Sequence, residues 1–262
     1  GAGADILTGG AGADIITGGG AADTITGGAG ADIIDSGAGA DIIIITTSGE
    51  ADSDVIDGGA DSDVLKLSTG SADTFSTDTK LVNVETLQAH ASGSQVVLTG
   101  QTEAFTITGG ASADNITGGS GIDTITGGGA ADTITGGAGN DIITVDVGTD
   151  TVLDLGGSSG GESDVVIVNS GATLNATGIV SFTAGGSTVN NGGAAANAVL
   201  AARSSGATIS VSGAGSGDFT ITGGAGADIL TGGAGADIIT GGGAADTITG
   251  GAGADIIDSG AG

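Results

Sequence analysis

Asp5, Asp14, Asp23, Asp32 and Asp41 follow one another at intervals of nine residues, as do Asp114, Asp123, Asp132 and Asp141, and then Asp228, Asp237, Asp246 and Asp255. Asp54 and Asp63 make a shorter pair inside GEADSDVIDGGADSDVLKL. Each aspartate closes a GGxGxD frame, or a near variant of it, and three residues with an apolar centre follow, such as Leu7, Ile16, Ile25, Ile34 and Ile43. A carboxylate is a hard oxygen donor, and a glycine turn exposes backbone carbonyls beside it. Calcium takes about six to eight oxygens and accepts carboxylates and carbonyls together, whereas magnesium holds to a strict octahedron and keeps its waters. Zinc prefers His or Cys, and the chain has 1 His and no Cys. Acid/base catalysis by paired carboxylates gives no reason for a strict period. His90, in LQAHASGSQ, has no nucleophile arrangement around it and reads as a loop or strand histidine. Lys66, Lys80 and Arg203 are too few for a phosphate site, and the glycine runs lack the helix and lysine of a phosphate-binding loop.

These carboxylates need a scaffold that repeats as they do. Three residues with an apolar centre make a short strand whose middle side chain points one way and whose flanks point the other. Six residues of Gly, Ala and Asp then turn the chain, since glycine tolerates positive φ and close backbone approach. Two nonapeptides make a coil of 18 residues. Residues one coil apart stack at about 4.8 Å, the spacing of strands in a sheet. Asp5 then lies over Asp23, Asp14 over Asp32, and the Ile and Leu centres meet in a thin core. Carboxylates about 5 Å apart repel by about 1 kcal/mol in water and several times that near a protein surface. A cation between the turns removes that repulsion. The fold class expected is all-β, a parallel β-solenoid.

A second period is longer. Residues 1–39 and 224–262 are identical, an offset of 223, and FTITGGASAD (105–114) is related to FTITGGAGAD (219–228). The simplest organisation is a tandem polymer in which arrays alternate with less regular tails. The segments are 1–66 (array), 67–104 (irregular solenoid), 105–147 (second array), 148–218 (irregular solenoid) and 219–262 (start of the next repeat). With no Met and both termini inside a repeat, the chain is expected to be an excerpt of something longer. The tails carry strand-like runs such as SQVVLTG and TISVSG. AANAVLAAR (195–203) has some helix-forming character but is read as part of the same coil. The phase slips once: Glu50 stands nine after Asp41, yet Asp54 restarts the count four residues late, so an inserted bend or bulge is expected near 45–53.

Composition sets the exclusions. The chain has 59 Gly, and 31 acidic residues against 3 basic ones give a net charge of −28. Nucleic acid and anionic membranes need basic clusters, so both are excluded as direct partners. Without cysteine there is no disulfide scaffold or thiolate site. No apolar run reaches the ~18–20 residues of a membrane span; IIIITT (42–47) is the longest notable one. No signal-peptide pattern opens the chain. A disordered acidic linker would have no reason to place Ile every nine residues. The recurrent TIT triplets are interrupted by ILT and III, which breaks any threonine ladder of an ice-binding face. Ile6, Ile15, Ile33 and Ile42 occupy outward flanks, where contiguous apolar surface marks a contact, either with a neighbouring module or with the chain's own tail.

These arrays resemble the RTX, or haemolysin-type, calcium-binding nonapeptide repeats, whose pattern is GGxGxDxUx. GGAGND at 136–141 matches best; GGGAAD (18–23, 127–132, 241–246) puts Ala at the fourth position and SGAGAD (36–41) loses the first Gly. The resemblance implies a right-handed parallel β-roll with calcium between successive turns. Its ligands would be the phased aspartates together with backbone oxygens of the turns at Gly9, Gly10 and Gly12, at Gly27, Gly28 and Gly30, at Gly118, Gly119 and Gly121, and at Gly136, Gly137 and Gly139. It also implies type I secretion, with folding outside the cell where calcium is plentiful. The function expected is non-enzymatic: a calcium-stabilised structural module of a long extracellular bacterial fibre, surface-layer (S-layer) or adhesin-like protein that binds copies of itself. The alternatives are the secretion and folding module of a type I-secreted enzyme or toxin, and a soluble calcium buffer.

Overall fold

The apolar triplets fold as short strands that pair in parallel, one coil upon the next. In the computed structural model Leu7 lies beside Ile25 and Ile25 beside Ile43, a step of 18 residues, while the flanking Ile6, Thr24 and Ile42 make the neighbouring column. The structure describes residues 1–47, 51–70, 72–156, 163–170, 172–184, 188–190, 198–202, 204, 206–214 and 217–262. Among these there are strands and turns and no helix. The chain divides into two bodies, Gly1–Thr124 and Ile125–Gly262, each a stack of parallel β-coils.

In the first body one sheet runs through Ile6–Ala11, Thr24–Ala29, Ile42–Ile45, Val64–Leu67, Thr86–Gln88 and Thr106–Thr108. A second sheet holds Ile15–Gly20, Ile33–Ala38, Val55–Asp57 and Leu81–Val82 and ends there. A third begins at Ala72–Thr74 and continues through Gln95–Val97 and Asn115–Thr117. The irregular segment 67–104 is thus where one sheet stops and another starts, while the first sheet passes through uninterrupted.

The second body does the same with other strands. Thr133–Thr135, Thr149–Val152, Thr173–Ile179, Ala198–Ala202, Thr220–Thr222, Ile238–Thr240 and Ile256–Asp258 form one continuous sheet. Ile142–Val145, Val165–Val168 and Val189–Asn190 form a sheet that ends in the tail. Ser181–Thr183, Thr208–Ser210, Ile229–Thr231 and Thr247–Thr249 form one that starts in it. Within AANAVLAAR, residues 198–202 are strand; residues 195–197 and Arg203 lie outside the described residues.

The core is a file of strand centres. Ile25, Ile43, Ile56, Leu65, Leu87, Ile107, Ile134, Ile143, Ile221 and Ile239 are buried. All four phenylalanines, Phe75, Phe105, Phe182 and Phe219, are buried too, in the tails or at the first coil of an array. The rings of Phe75 and Phe182 fill coils that have lost the nine-residue spacing, and those of Phe105 and Phe219 fill the first coil of an array. The outward isoleucines behave differently: Ile6 is 86%, Ile15 80% and Ile33 49% exposed, with no described segment of the chain covering them, whereas Ile42 is half-buried.

The phase slip is absorbed by a longer coil. Pairing steps of 18 become 22 between Ile33 and Val55 and between Ile42 and Val64. The insertion lies after the strand Ile42–Ile45; Glu50 itself falls outside the described residues.

The turns with Ala at the fourth position keep the glycine backbone. Ala21, Ala130 and Ala244 have φ of 72°, 78° and 66°, and Asp61 in GGADSD has 82°. A Cβ in this left-handed region costs roughly 1–2 kcal/mol, offset in part by the lower entropy of the unfolded alanine chain. Ala130→Gly is therefore expected to stabilise the calcium-loaded chain by up to about 1 kcal/mol, read as a higher urea midpoint. A lower midpoint would show that the turn is relaxed with alanine.

Candidate metal centre

Each phased aspartate immediately precedes a strand, and its side chain reaches back to the coil before it. Asp23 Oδ1 accepts the Asp5 amide at 2.7 Å, Asp32 Oδ1 the Asp14 amide at 2.8 Å, and Asp41 Oδ1 the Asp23 amide at 2.7 Å. The aspartate carbonyls point the other way and accept from the next coil, as Asp5 O does from Thr24 at 2.9 Å and Asp14 O from Ile33 at 2.9 Å. The carboxylate therefore extends the strand ladder by one rung at a point where the chain turns away. A charged acceptor makes that rung stronger than a neutral one.

The ladder, rather than the count of nine, is what the fold conserves. Across the four-residue insertion Asp54 still takes the Asp32 amide at 2.8 Å and Asp63 the Asp41 amide at 2.7 Å, each over 22 residues. Beyond the array Glu85 Oε2 takes the Asp63 amide at 2.8 Å. In the second body Asp150 takes the Asp132 amide at 3.0 Å and Asp164 the Asp141 amide at 2.9 Å. Asp246 takes the Asp228 amide at 2.9 Å and Asp255 the Asp237 amide at 3.0 Å. Glu85 and Asp164 lie outside the nine-residue phase, whereas Asp150 stands nine after Asp141 in a turn, VDVGTD, that lacks the paired glycines. Their sequence signal is an acidic residue one place before a Val/Thr-rich triplet.

Two arrays open on Phe in the aspartate slot. Phe105 donates its amide to Asp123 Oδ1 at 2.8 Å, and Phe219 to Asp237 Oδ1 at 2.8 Å. Ser94 and Ala207 open the other columns, donating to Asp114 at 2.5 Å and to Asp228 at 2.6 Å.

With Oδ1 committed to the ladder, Oδ2 is the oxygen left for a cation. Oδ2 of Asp14, Asp23, Asp32, Asp41, Asp63, Asp150 and Asp246 is buried with no hydrogen-bond partner among the described residues. A buried charged oxygen without a partner is costly, and a hard cation is what would satisfy it. The donor set fits calcium: carboxylate oxygens stand beside turns whose backbones nearly touch. Gly10 pairs with Gly28 across one coil, and a Cβ on Gly28 or Gly30 would collide with the carbonyls of Gly10 and Gly12. The turns at Gly9–Gly12 and Gly27–Gly30 are thus stacked as the repeat reading expects. The other predicted turns differ in detail. Gly119 donates to Asp123 Oδ2 at 3.0 Å, and the amides of Gly136 and Gly137 are taken up by Asp154 at 2.9 and 2.8 Å. Gly118 is buried, a Cβ on Gly121 would collide with the Glu103 carbonyl, and Gly139 keeps a positive φ of 127°.

The first glycine of each frame makes room for its own aspartate. A Cβ on Gly9 would stand 2.7 Å from Asp14 Oδ2, one on Gly18 2.5 Å from Asp23 Oδ2, and one on Gly232 2.6 Å from Asp237 Oδ2. Gly18→Ala is expected to cost about 1–3 kcal/mol, the range for overpacking a well-packed site. Gly20→Ala, with nothing within 4 Å of the added carbon, is the control and should be near neutral. Equal urea midpoints for the two variants would refute this role for the glycine.

Burial pushes several of these carboxyls upward. Desolvation raises Asp63 to about 6, with Asp41, Glu85 and Asp61 adding like charge against the ladder bond from Asp41. Desolvation likewise raises Asp150 to about 6, with Asp132 and Asp146 adding to it. Asp123, Asp154 and Asp237 are raised by burial as well. Asp132, Asp146 and Asp150 each offer one oxygen, all within 4.8 Å of one another. Two unit charges at that separation repel by about 3–4 kcal/mol at an effective dielectric of about 20. Such a group is held together by a bound cation or by protons.

A parallel β-solenoid with a buried acidic ladder at its glycine turns defines a class of calcium-dependent repeat proteins. The RTX calcium-binding nonapeptide repeat matches residues 1–24, 9–43, 48–71, 106–125, 117–152, 214–248 and 231–262. These matches cover more than half of the chain, which belongs to that family, and its ion is Ca2+. No curated protein matches the chain. Among the described residues no helix is long and apolar enough to cross a membrane.

Proposed function

We propose that the chain is a load-bearing module of a long extracellular bacterial protein, a fibre, surface layer or adhesin-like stalk, with a mechanical rather than an enzymatic task. The observation that carries this reading is the recurrence of the same 39 residues at an offset of 223, in arrays that each build the acidic ladder. An enzyme or toxin that uses such repeats for export has no need of sequence-identical long periods. In a fibre the period sets length. Strands that pair coil upon coil carry load through backbone hydrogen bonds, and calcium between turns ties each coil to the next. The calcium dependence gives direction to export: acidic repulsion keeps the chain unfolded at low calcium inside the cell, and the extracellular ion concentration folds it. Self-association of neighbouring chains would build the filament or lattice.

The test is electron microscopy of the secreted chain and of tandem duplicates in millimolar calcium and after chelation. The expected result is a particle whose length grows by a constant increment with each added 223-residue period and which is lost on chelation. Particles of one fixed size, or a soluble catalytic activity in the purified chain, would overturn the reading.

A further inference from the structure

We propose that Asp146 adds a third carboxylate to the cation site between the ladder aspartates Asp132 and Asp150, and that this turn, of higher charge than the regular repeat turns, fills with Ca2+ before they do. The proposal rests on the calcium chemistry of the repeats: Asp132 and Asp150 keep the nine-residue phase, and Asp146 is the carboxylate that the repeat pattern does not contain. Asp150 belongs to VDVGTD (145–150), a turn that keeps the fourth-position glycine, with Gly148 at φ 105°. In this turn Asp146 stands where the regular frame has its second glycine, so a carboxylate replaces a hydrogen atom. Asp146 Oδ1 is fixed by the amides of Gly128 at 3.2 Å and Val147 at 3.1 Å. Asp150 Oδ1 accepts the Asp132 amide at 3.0 Å. Its Oδ2 is buried without a hydrogen-bond partner among the described residues, in a residue that is 0% exposed.

Three acids thus contribute an oxygen each within 4.8 Å, the one group of three or more found among the described residues. Asp132 and Asp150 are buried and Asp146 is half-buried, so the opening to solvent lies on the Asp146 side. Affinity for calcium rises with the number of charged ligands and with the rigidity of the site. Both point to this turn as the tightest of the chain. A hard trivalent lanthanide of similar coordination preference would be bound there as well.

Calorimetric titration of the full chain with calcium chloride, paired with directly excited europium luminescence, tests the site. Asp146→Asn keeps the oxygen that accepts from Gly128 and Val147 but removes the charge, and Asp146→Gly restores the regular turn should the amide disturb folding. The expected result is that both variants lose one ion from the tightest class, its affinity falling at least about tenfold, while circular dichroism in excess calcium is unchanged. Asp35→Asn, which removes an equal charge from an exposed strand flank, should leave the tightest class intact. Isotherms of Asp146→Asn and Asp146→Gly that superimpose on the unsubstituted chain would overturn the site and leave the calcium reading of the repeats standing. An unsubstituted chain that binds no calcium would overturn both.

Discussion

Chelation of calcium is expected to abolish the β-sheet circular dichroism of the chain at neutral pH, and restoring millimolar calcium to bring it back. Fourteen aspartates among the described residues are less than 5% exposed, in a chain of net charge −28. Within each column they recur one coil apart; in Asp23, Asp32, Asp41, Asp63 and Asp150 one oxygen is bonded to an amide and the other is buried without a hydrogen-bond partner among the described residues. At an effective dielectric of about 20, each unscreened pair at coil spacing costs about 3 kcal/mol. A folded domain has only about 5–15 kcal/mol to spare, so a handful of uncompensated pairs exceeds the reserve. The core cannot make up the difference, because it is one file of Ile, Leu and Val per sheet. The effect is all-or-none along an array, since a coil that loses its neighbour also loses its strand pairing. A spectrum unchanged between chelator and calcium would show that the amide bonds to Oδ1 suffice to hold the carboxylates.

The repeat itself was legible in the sequence, and the reason is geometric. A triplet with an apolar centre and a turn of fixed length leaves one way to stack, so the spacing Asp5–Asp14–Asp23 gives the 18-residue coil and the pairing of Leu7 with Ile25. What the aspartate does with its first oxygen was not legible. Spacing places Asp23 over Asp5 but does not distinguish a carboxylate facing a carboxylate from one bonded to a backbone amide. Glu85 and Asp164 escaped the count because the ladder follows the strand start, and in coils of 22 or 23 residues the strand start drifts away from the nine-residue phase; Asp150 keeps the phase, but its turn VDVGTD lacks the paired glycines that frame the other aspartates. Phe105 and Phe219 were visible as a shared FTIT motif, yet their place in an aspartate slot emerges only once the coils are stacked. The exchange of sheets within each tail leaves no local mark, because Ala72–Thr74 and Leu81–Val82 differ in partner rather than in pattern. The alanines at positive φ mark the converse case, in which tertiary stacking holds a backbone that the residue itself disfavours.

Acid should fold the calcium-free chain, the reverse of its effect on most proteins. Asp63 and Asp150 have carboxyls raised to about 6 in the folded state, from an unperturbed value of 3.8. The folded form therefore holds protons that the unfolded form releases, and stability rises as pH falls through about 6 and levels off below about 4. Asp123 and Asp237, raised by the same desolvation, add in the same direction. In calcium the sign inverts, because protons compete with the ion for the same oxygens and acidification releases it. Resin-stripped protein, without a chelator that would itself titrate, should gain β-sheet circular dichroism between pH of about 7 and about 4.5. The calcium-loaded protein should lose bound ion over the same interval. The general relief of net charge would also favour folding in acid, and Asp63→Asn with Asp150→Asn separates the two causes. Asparagine keeps the oxygen that accepts the Asp41 and Asp132 amides and removes the charge that proton or calcium must neutralise. The double variant should therefore be more structured than the unsubstituted chain when metal-free at neutral pH, with a shallower pH dependence. An unaltered pH profile would assign the acid effect to overall charge and remove these two carboxyls from its cause.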